Sequence, residues 1–286
     1  LLPFYYTLDY VNTIWFTTLL GILLAGALVS MAPALVRRAL AGNGWKAHVG
    51  GVLFGIPNML CTCCAVSTVA GLRKAGAGLL SSLAFFVTAP SLNIVGILLA
   101  FQLLPLKLAI ARSLLGLVAA VGVTYAVVRL APGLRAERIG WVGAPSVEDS
   151  LAGMMRSWAS SVWHITRAVV PLLLLGFFLI GVFRTVVPIQ AVAGYLGEGP
   201  WPTLLASVLG TALMVPTFTE VLWVQEFVKQ GMATGPAAAL LITLPAVSFP
   251  SLWVLGKLLR SYRLAVSLGC GILLLGFLGG MLFAII

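Results

Sequence analysis

Three of the four cysteines fall within four consecutive residues, Cys61-Thr62-Cys63-Cys64, while Cys270 stands far along the chain. Thiolates are soft ligands and suit thiophilic species such as Cu(I), Hg(II) or trivalent arsenic. In an extended stretch Cys61 and Cys63 share a face; in a helix Cys61 and Cys64 do. The competing reading, small hydrophobes packed between helices, is the one taken for Cys270. For a cluster beside a Pro57-Asn58 break, the expectation is a site: Cys61, Cys63 and Cys64 are candidate ligands of a soft metal or metalloid. A second group follows Pro216. Thr217, Thr219 and Glu220 lie in an apolar run, where an ionisable residue usually faces a pathway or a partner. Glu220 is therefore a candidate for proton coupling, with a structural ion pair as the alternative, whereas Glu226 lies nearer a segment end and is expected in solvent. Thr62, Ser91, Asn93 and Ser248 complete the set expected to line a substrate cavity, although each alone could equally bond a neighbouring helix. Met59 and Met214 flank the two breaks as thioether ligands or as filler. His48 and His164 are expected at the membrane interface, as are Trp141, Trp158, Trp163 and Trp201.

The elements that must position these residues are membrane helices. Hydrophobic residues make up 61% of the chain and charged residues 8%, which places it outside the usage of soluble domains. Eight apolar segments are expected, near 12–36, 47–70, 78–101, 106–131, 160–187, 201–226, 234–257 and 264–286. Each is long enough to reach across about 30 Å of hydrocarbon. The net charge of +10 then belongs to loops facing anionic headgroups of the lipid bilayer, and no nucleic-acid partner is expected. The chain holds no Gly-x₄-Gly-Lys-Ser/Thr phosphate loop, which a secondary transporter does not need, and no cofactor is expected.

The chain reads as a first repeat (1–131), a cytoplasmic connection (132–157) and a second repeat (158–286). A shift of 155 superposes Gly55 on Gly210, Met59 on Met214, Thr62 on Thr217, Lys74 on Lys229 and Gly76 on Gly231. The same shift brings Ala84 to Ala239, Thr88 to Thr243 and Pro90 to Pro245. Repeats of this kind are a common feature of secondary transporters. If all eight segments crossed, basic residues near segment ends would divide seven against seven between the two sides. Letting 47–70 and 201–226 dip in and return gives twelve inside against two outside, which satisfies the cytoplasmic bias of basic loops. That change also makes the halves opposite in orientation. The expected fold is an all-α integral membrane protein with two inverted repeats of about four apolar segments. Each repeat carries a re-entrant hairpin and a broken helix, and these meet at the midplane.

Pro57-x₃-Cys61-Thr62-Cys63, Gly71-Leu72-Arg73-Lys74-x-Gly76-Ala77 and Ala89-Pro90-Ser91-Leu92-Asn93 resemble the first repeat of ArsP-type permeases. Thr217-x-x-Glu220, Gly231-Met232, Gly235-Pro236 and Pro245-Ala246-x-Ser248-x-Pro250-Ser251 resemble the second. The resemblance covers about 50–105 and 205–260. It implies a multi-pass permease of the bacterial inner membrane that exports trivalent organoarsenicals such as methylarsenite. By position the contributing motif is Cys61 and Cys63. The chain departs from that pattern in Cys64 and in having no cysteine in its second-repeat motif. Uptake of a sulfur-containing anion is the alternative within transport. A membrane thiol oxidoreductase using Cys61 and Cys64 is the alternative outside it, and lacks the second cysteine pair that electron transfer to a partner needs.

Overall fold

The computed structural model describes residues 40–130 and 197–285 apart from Asn43, Met59 and 216–218, with isolated positions in 19–23 and 155–174. The expected segments near 12–36 and 160–187, and the connection 132–157, therefore lie largely outside the described residues. Among the described residues the chain is helical and contains no strand. The first half supplies α1 (Trp45–Gly55), α2 (Thr62–Lys74), α3 (Leu79–Ser91) and α4 (Ile94–Leu103). α5 (Leu106–Val118) then runs through a π-turn (Ala119–Val123) into α6 (Thr124–Leu130). The second half supplies α7 (Pro200–Ala212), α8 (Thr219–Lys229), α9 (Thr234–Ala246), α10 (Phe249–Leu258) and α11 (Tyr262–Ile285).

Among the described residues, four helical runs are long and apolar enough to cross a membrane: Leu79–Leu103, Leu106–Leu130, Thr234–Leu258 and Tyr262–Ile285. Two of them are broken, and the breaks follow from sequence. Pro90 and Pro245 lie in the last turns of α3 and α9, where proline has no N–H to donate to the carbonyl four residues back and its ring crowds that carbonyl. Asn93 restarts α4 as an N-cap: its Oδ1 accepts from Gly96 N–H at 2.6 Å while its Nδ2 donates to Pro90 O at 2.8 Å. Ser248 restarts α10 through a capping box with Ser251. The broken runs are interior, 72% and 83% buried, whereas the other two are 33% and 39% buried. Interrupted backbone thus faces protein, as hydrocarbon requires.

The helix boundaries keep the 155-residue interval seen in the sequence. Thr234–Ala246 repeats Leu79–Ser91 and Phe249–Leu258 repeats Ile94–Leu103 at that spacing. The matched glycines have physical reasons. Gly76 and Gly231 both adopt φ +97°, just after α2 and α8, and each closes a Schellman cap, with Ala77 N bonded to Leu72 O and Met232 N to Phe227 O. Gly55 and Gly210 let α1 and α7 lie close on α3 and α9, where an added Cβ would overlap Thr88 and Thr243 respectively. Packing between the halves is reciprocal. α2 lies on α10 of the other half, and α8 lies on α4. α5 joins them by packing on α9.

Candidate functional site

The cysteine cluster forms where the chain leaves α1 and re-enters a helix. Pro57 and Asn58 lie in the turn after α1. Cys61, extended at φ −70° and ψ 165°, is the N-cap of α2. The N-cap residue and the third residue of a helix face one another, so Cys61 Sγ meets Cys64 Sγ at 3.0 Å. All four cysteines are free thiols, and the three in the cluster are buried.

The Cys63 thiol neighbours that of Cys61 and donates to Met214 Sδ at 3.0 Å across the boundary between the halves. Met214 lies in the extended stretch after α7 and is 2% exposed. Beside this, Thr62 Oγ1 lies 3.4 Å from Ser248 Oγ, the N-cap of α10. The Ser91 hydroxyl, at the end of α3, is buried with no hydrogen-bond partner. Among the described residues, no three His, Cys, Asp or Glu side chains converge on a point that could hold a metal ion. The thiols instead form a pair, Cys61 with Cys64, and a mixed contact, Cys63 with Met214.

A second polar centre joins the same elements. Glu220, in the first turn of α8, pairs with Arg112 of α5 at 2.9 Å, with both side chains at most 2% exposed. Arg112 Nη1 also donates to Leu241 O of α9 at 3.3 Å, and its Nε is buried with no partner. Gly96 lies where a Cβ would crowd both Arg112 Nη2 and Asn93 Oδ1, so the guanidinium sits against the α4 cap. The ion pair ties the first half to the second in an environment where neither charge has access to water.

The structure thus groups Cys61, Thr62, Cys63, Cys64 and Ser248 at one centre and brings Asn93 and Glu220 together around Arg112. Thr217 and the side chain of Thr219 lie outside the described residues, as does Met59. Arg112 is absent from the candidates drawn from sequence, where it counts only as a charge within a helix. Its signal was nevertheless present: a lone cation inside an apolar span calls for a buried anion. One expectation is corrected: Cys270 is exposed on α11 and does not pack in the core. His48 is fully buried within the protein, where Nε2 bonds Thr124 Oγ1 at 2.9 Å and the ring stacks on Tyr125. Glu226 is exposed, as its place near the end of α8 requires, and Trp163 and Trp201 are exposed as anchors would be.

The sequence matches the ArsP_1 family, described as "Predicted permease", over residues 4–285. The chain belongs to this ArsP-type permease family. It is similar to UPF0718 protein YraQ of Escherichia coli strain K12, at 29% identity over 256 residues, 88% of this chain and 72% of that protein. It is also similar to UPF0718 protein MJ0584 of Methanocaldococcus jannaschii, at 26% identity over 132 residues, 45% of this chain and 36% of that protein. No solved structure matches. Membership of the ArsP-type family, together with four membrane-length apolar helices, makes this a membrane protein of the permease class. A permease acts on a small-molecule substrate.

Proposed function

We propose that this permease is a secondary transporter of the bacterial inner membrane that expels trivalent organoarsenicals, with Cys61 and Cys64 as the substrate-binding dithiol. The observation that carries this reading is the 3.0 Å approach of the two free thiols beside an interior helix break. Two adjacent thiols suit a species such as methylarsenite: two As–O bonds and two S–H bonds break, two As–S bonds form, and two water molecules leave. The product is a neutral dithiolate, which the low-dielectric interior tolerates far better than an ion. Exchange with water reverses the step on the far side. Thr62, Ser91 and Ser248 supply hydroxyls for the waters that are exchanged.

The fold proposed for this transport is two inverted repeats, with α1–α2 and α7–α8 as re-entrant hairpins and the domain limits given above. Helices of 11 and 13 residues are only about 16–20 Å long, short of a hydrocarbon crossing of about 30 Å. The reciprocal packing of α2 on α10 and α8 on α4 and the twelve-to-two division of basic residues support the same arrangement. Glu220 is the coupling group in this reading. A proton on its carboxylate dissolves the bond to Arg112 and frees the halves to rearrange.

Everted membrane vesicles test the reading. Vesicles carrying the intact chain accumulate methylarsenite when a proton gradient is imposed, and Cys61→Ser and Cys64→Ser vesicles do not. Serine matches cysteine in size but is a poor ligand for soft species, so packing is little disturbed. Correctly inserted serine variants that transport at the wild-type rate would return the cysteines to a packing role.

A further inference from the structure

The contact between Cys63 and Met214 is left unused by the dithiol chemistry. We propose that Cys63 and Met214 form a separate two-coordinate site for a soft monovalent d¹⁰ cation, Cu(I) or Ag(I), a second cargo of the same break. This rests on the reading of the break as a binding region but not on arsenical chemistry.

Four observations carry it. The two sulfurs already approach to 3.0 Å, so a shared ion needs only a small outward movement of each. Both residues are buried, at 0% and 2% exposure, which keeps water from completing a larger coordination shell. Among the described residues no group of three or more His, Cys, Asp or Glu is placed to hold a metal ion, and the Cys61 thiol beside Cys63 is taken up by Cys64 at 3.0 Å, which disfavours Zn(II), a metal that takes four ligands. The ligand pair is itself selective, since thiolate and thioether sulfur together favour Cu(I) among biological metals. A trivalent arsenical gains little from a thioether because it binds by exchanging oxygen for deprotonated thiols.

Charge supports the same choice. One thiolate and one monovalent cation sum to zero, and a neutral complex is the form a buried, apolar site can hold. On binding, the Cys63 S–H bond breaks, a metal–thiolate bond forms, Met214 Sδ donates a lone pair, and one proton leaves. No electron is transferred. The two ligands come from opposite halves, Cys63 from α2 and Met214 from the stretch after α7, so separation of the halves would pull them apart. Such a site can release its ion, as a transport site must.

Silver(I) ions are the probe, with the full chain in detergent and equilibrium dialysis followed by metal analysis. In a Cys270→Ser background, which removes the exposed thiol of α11, a Cys61→Ser/Cys64→Ser chain removes the dithiol and isolates the proposed site. It is expected to bind one silver ion per chain with release of one proton, while no longer binding methylarsenite. Adding Met214→Leu, a volume-conserving change, weakens silver binding by about tenfold or more, and adding Cys63→Ser abolishes it. Silver binding that is absent from the double-serine chain, or unchanged by Met214→Leu, overturns the proposal and leaves the arsenical reading standing. Methylarsenite binding lost from the otherwise wild-type Met214→Leu chain also overturns it, because the two cargoes would then share one site. If the leucine variant does not insert, X-ray absorption of the same Cys61→Ser/Cys64→Ser chain in the Cys270→Ser background, loaded with one Cu(I), decides. Two sulfur neighbours are expected, and nitrogen or oxygen neighbours overturn the site.

Discussion

Removing either end of the Arg112–Glu220 pair should destabilise the protein, but by unequal amounts. At 2.9 Å and an effective dielectric near 20, two unit charges attract by about 5–6 kcal/mol. Loss of one partner from a buried pair costs about 3–5 kcal/mol, mostly because the survivor stays desolvated. The survivors differ. An arginine left behind by Glu220→Ala cannot shed its proton in a protein, so the full cost falls on the folded state. A glutamate left behind by Arg112→Leu can take up a proton and become neutral, which recovers part of the loss. The expected order of stability is wild type, then Arg112→Leu, then Glu220→Ala, with Glu220→Ala down by about 3 kcal/mol or more. The double change Arg112→Leu/Glu220→Ala should lie closer to wild type than Glu220→Ala does, since no charge remains to be buried. Denaturant unfolding of the detergent-solubilised chain, followed by tryptophan fluorescence, measures all four. Additive losses in the double variant would refute the argument, because additivity is the behaviour of independent sites.

Four further outcomes follow from the same residues. Glu220→Gln should weaken proton-driven transport more than Glu226→Gln between about pH 6 and 8, since only Glu220 is buried against a cation; equal rates would remove it as the coupling group. Arg73→Cys in a cysteine-free background should resist impermeant thiol reagents added outside, and ready labelling would sink the re-entrant topology. Gly210→Val should lower thermal stability by about 1–3 kcal/mol through overlap with Thr243, a loss read in the same unfolding assay; an unchanged midpoint would mean α7 and α9 are not held in close contact. Cys270→Ser should leave methylarsenite transport unchanged because that thiol is exposed on α11 and belongs to neither sulfur contact of the cluster; a lost rate would place it in the pathway.

The membrane class and the helix breaks were legible in the sequence because each has a local cause. Pro90 and Asn93 mark the end of one helix and the cap of the next, and Lys-x-Gly at 74–76 and 229–231 marks a helix end by its left-handed glycine. What the sequence left open was pairing across distance. Extended and helical geometry gave different thiol pairs, and only the N-cap position of Cys61 selects Cys64 as its neighbour. The cross-half contacts, Cys63 with Met214 and Arg112 with Glu220, depend on how two halves dock. No local pattern encodes that. The burial of His48 was hidden for the same reason: its partners Thr124 and Tyr125 lie more than seventy residues along the chain, so its position at a segment entrance said nothing about its burial.

The repeat makes the unpaired chemistry informative. Asn93 and Ser248 occupy equivalent positions and perform one task, capping the helix that follows each break. The reactive residues have no such counterparts. At the same 155-residue interval, Cys61 and Cys63 correspond to Pro216 and Phe218, Glu220 to Ala65, and Arg112 to Ser267. Elements that recur at this interval therefore carry the cysteine cluster in one half and the buried carboxylate in the other. Each centre reaches across to the opposite half for its partner, sulfur to Met214 and carboxylate to Arg112. A movement of one half against the other must disturb both contacts together. Under the proposed function, ligand release and rupture of the ion pair would then be two consequences of one displacement, which is the form that coupling between two sites takes.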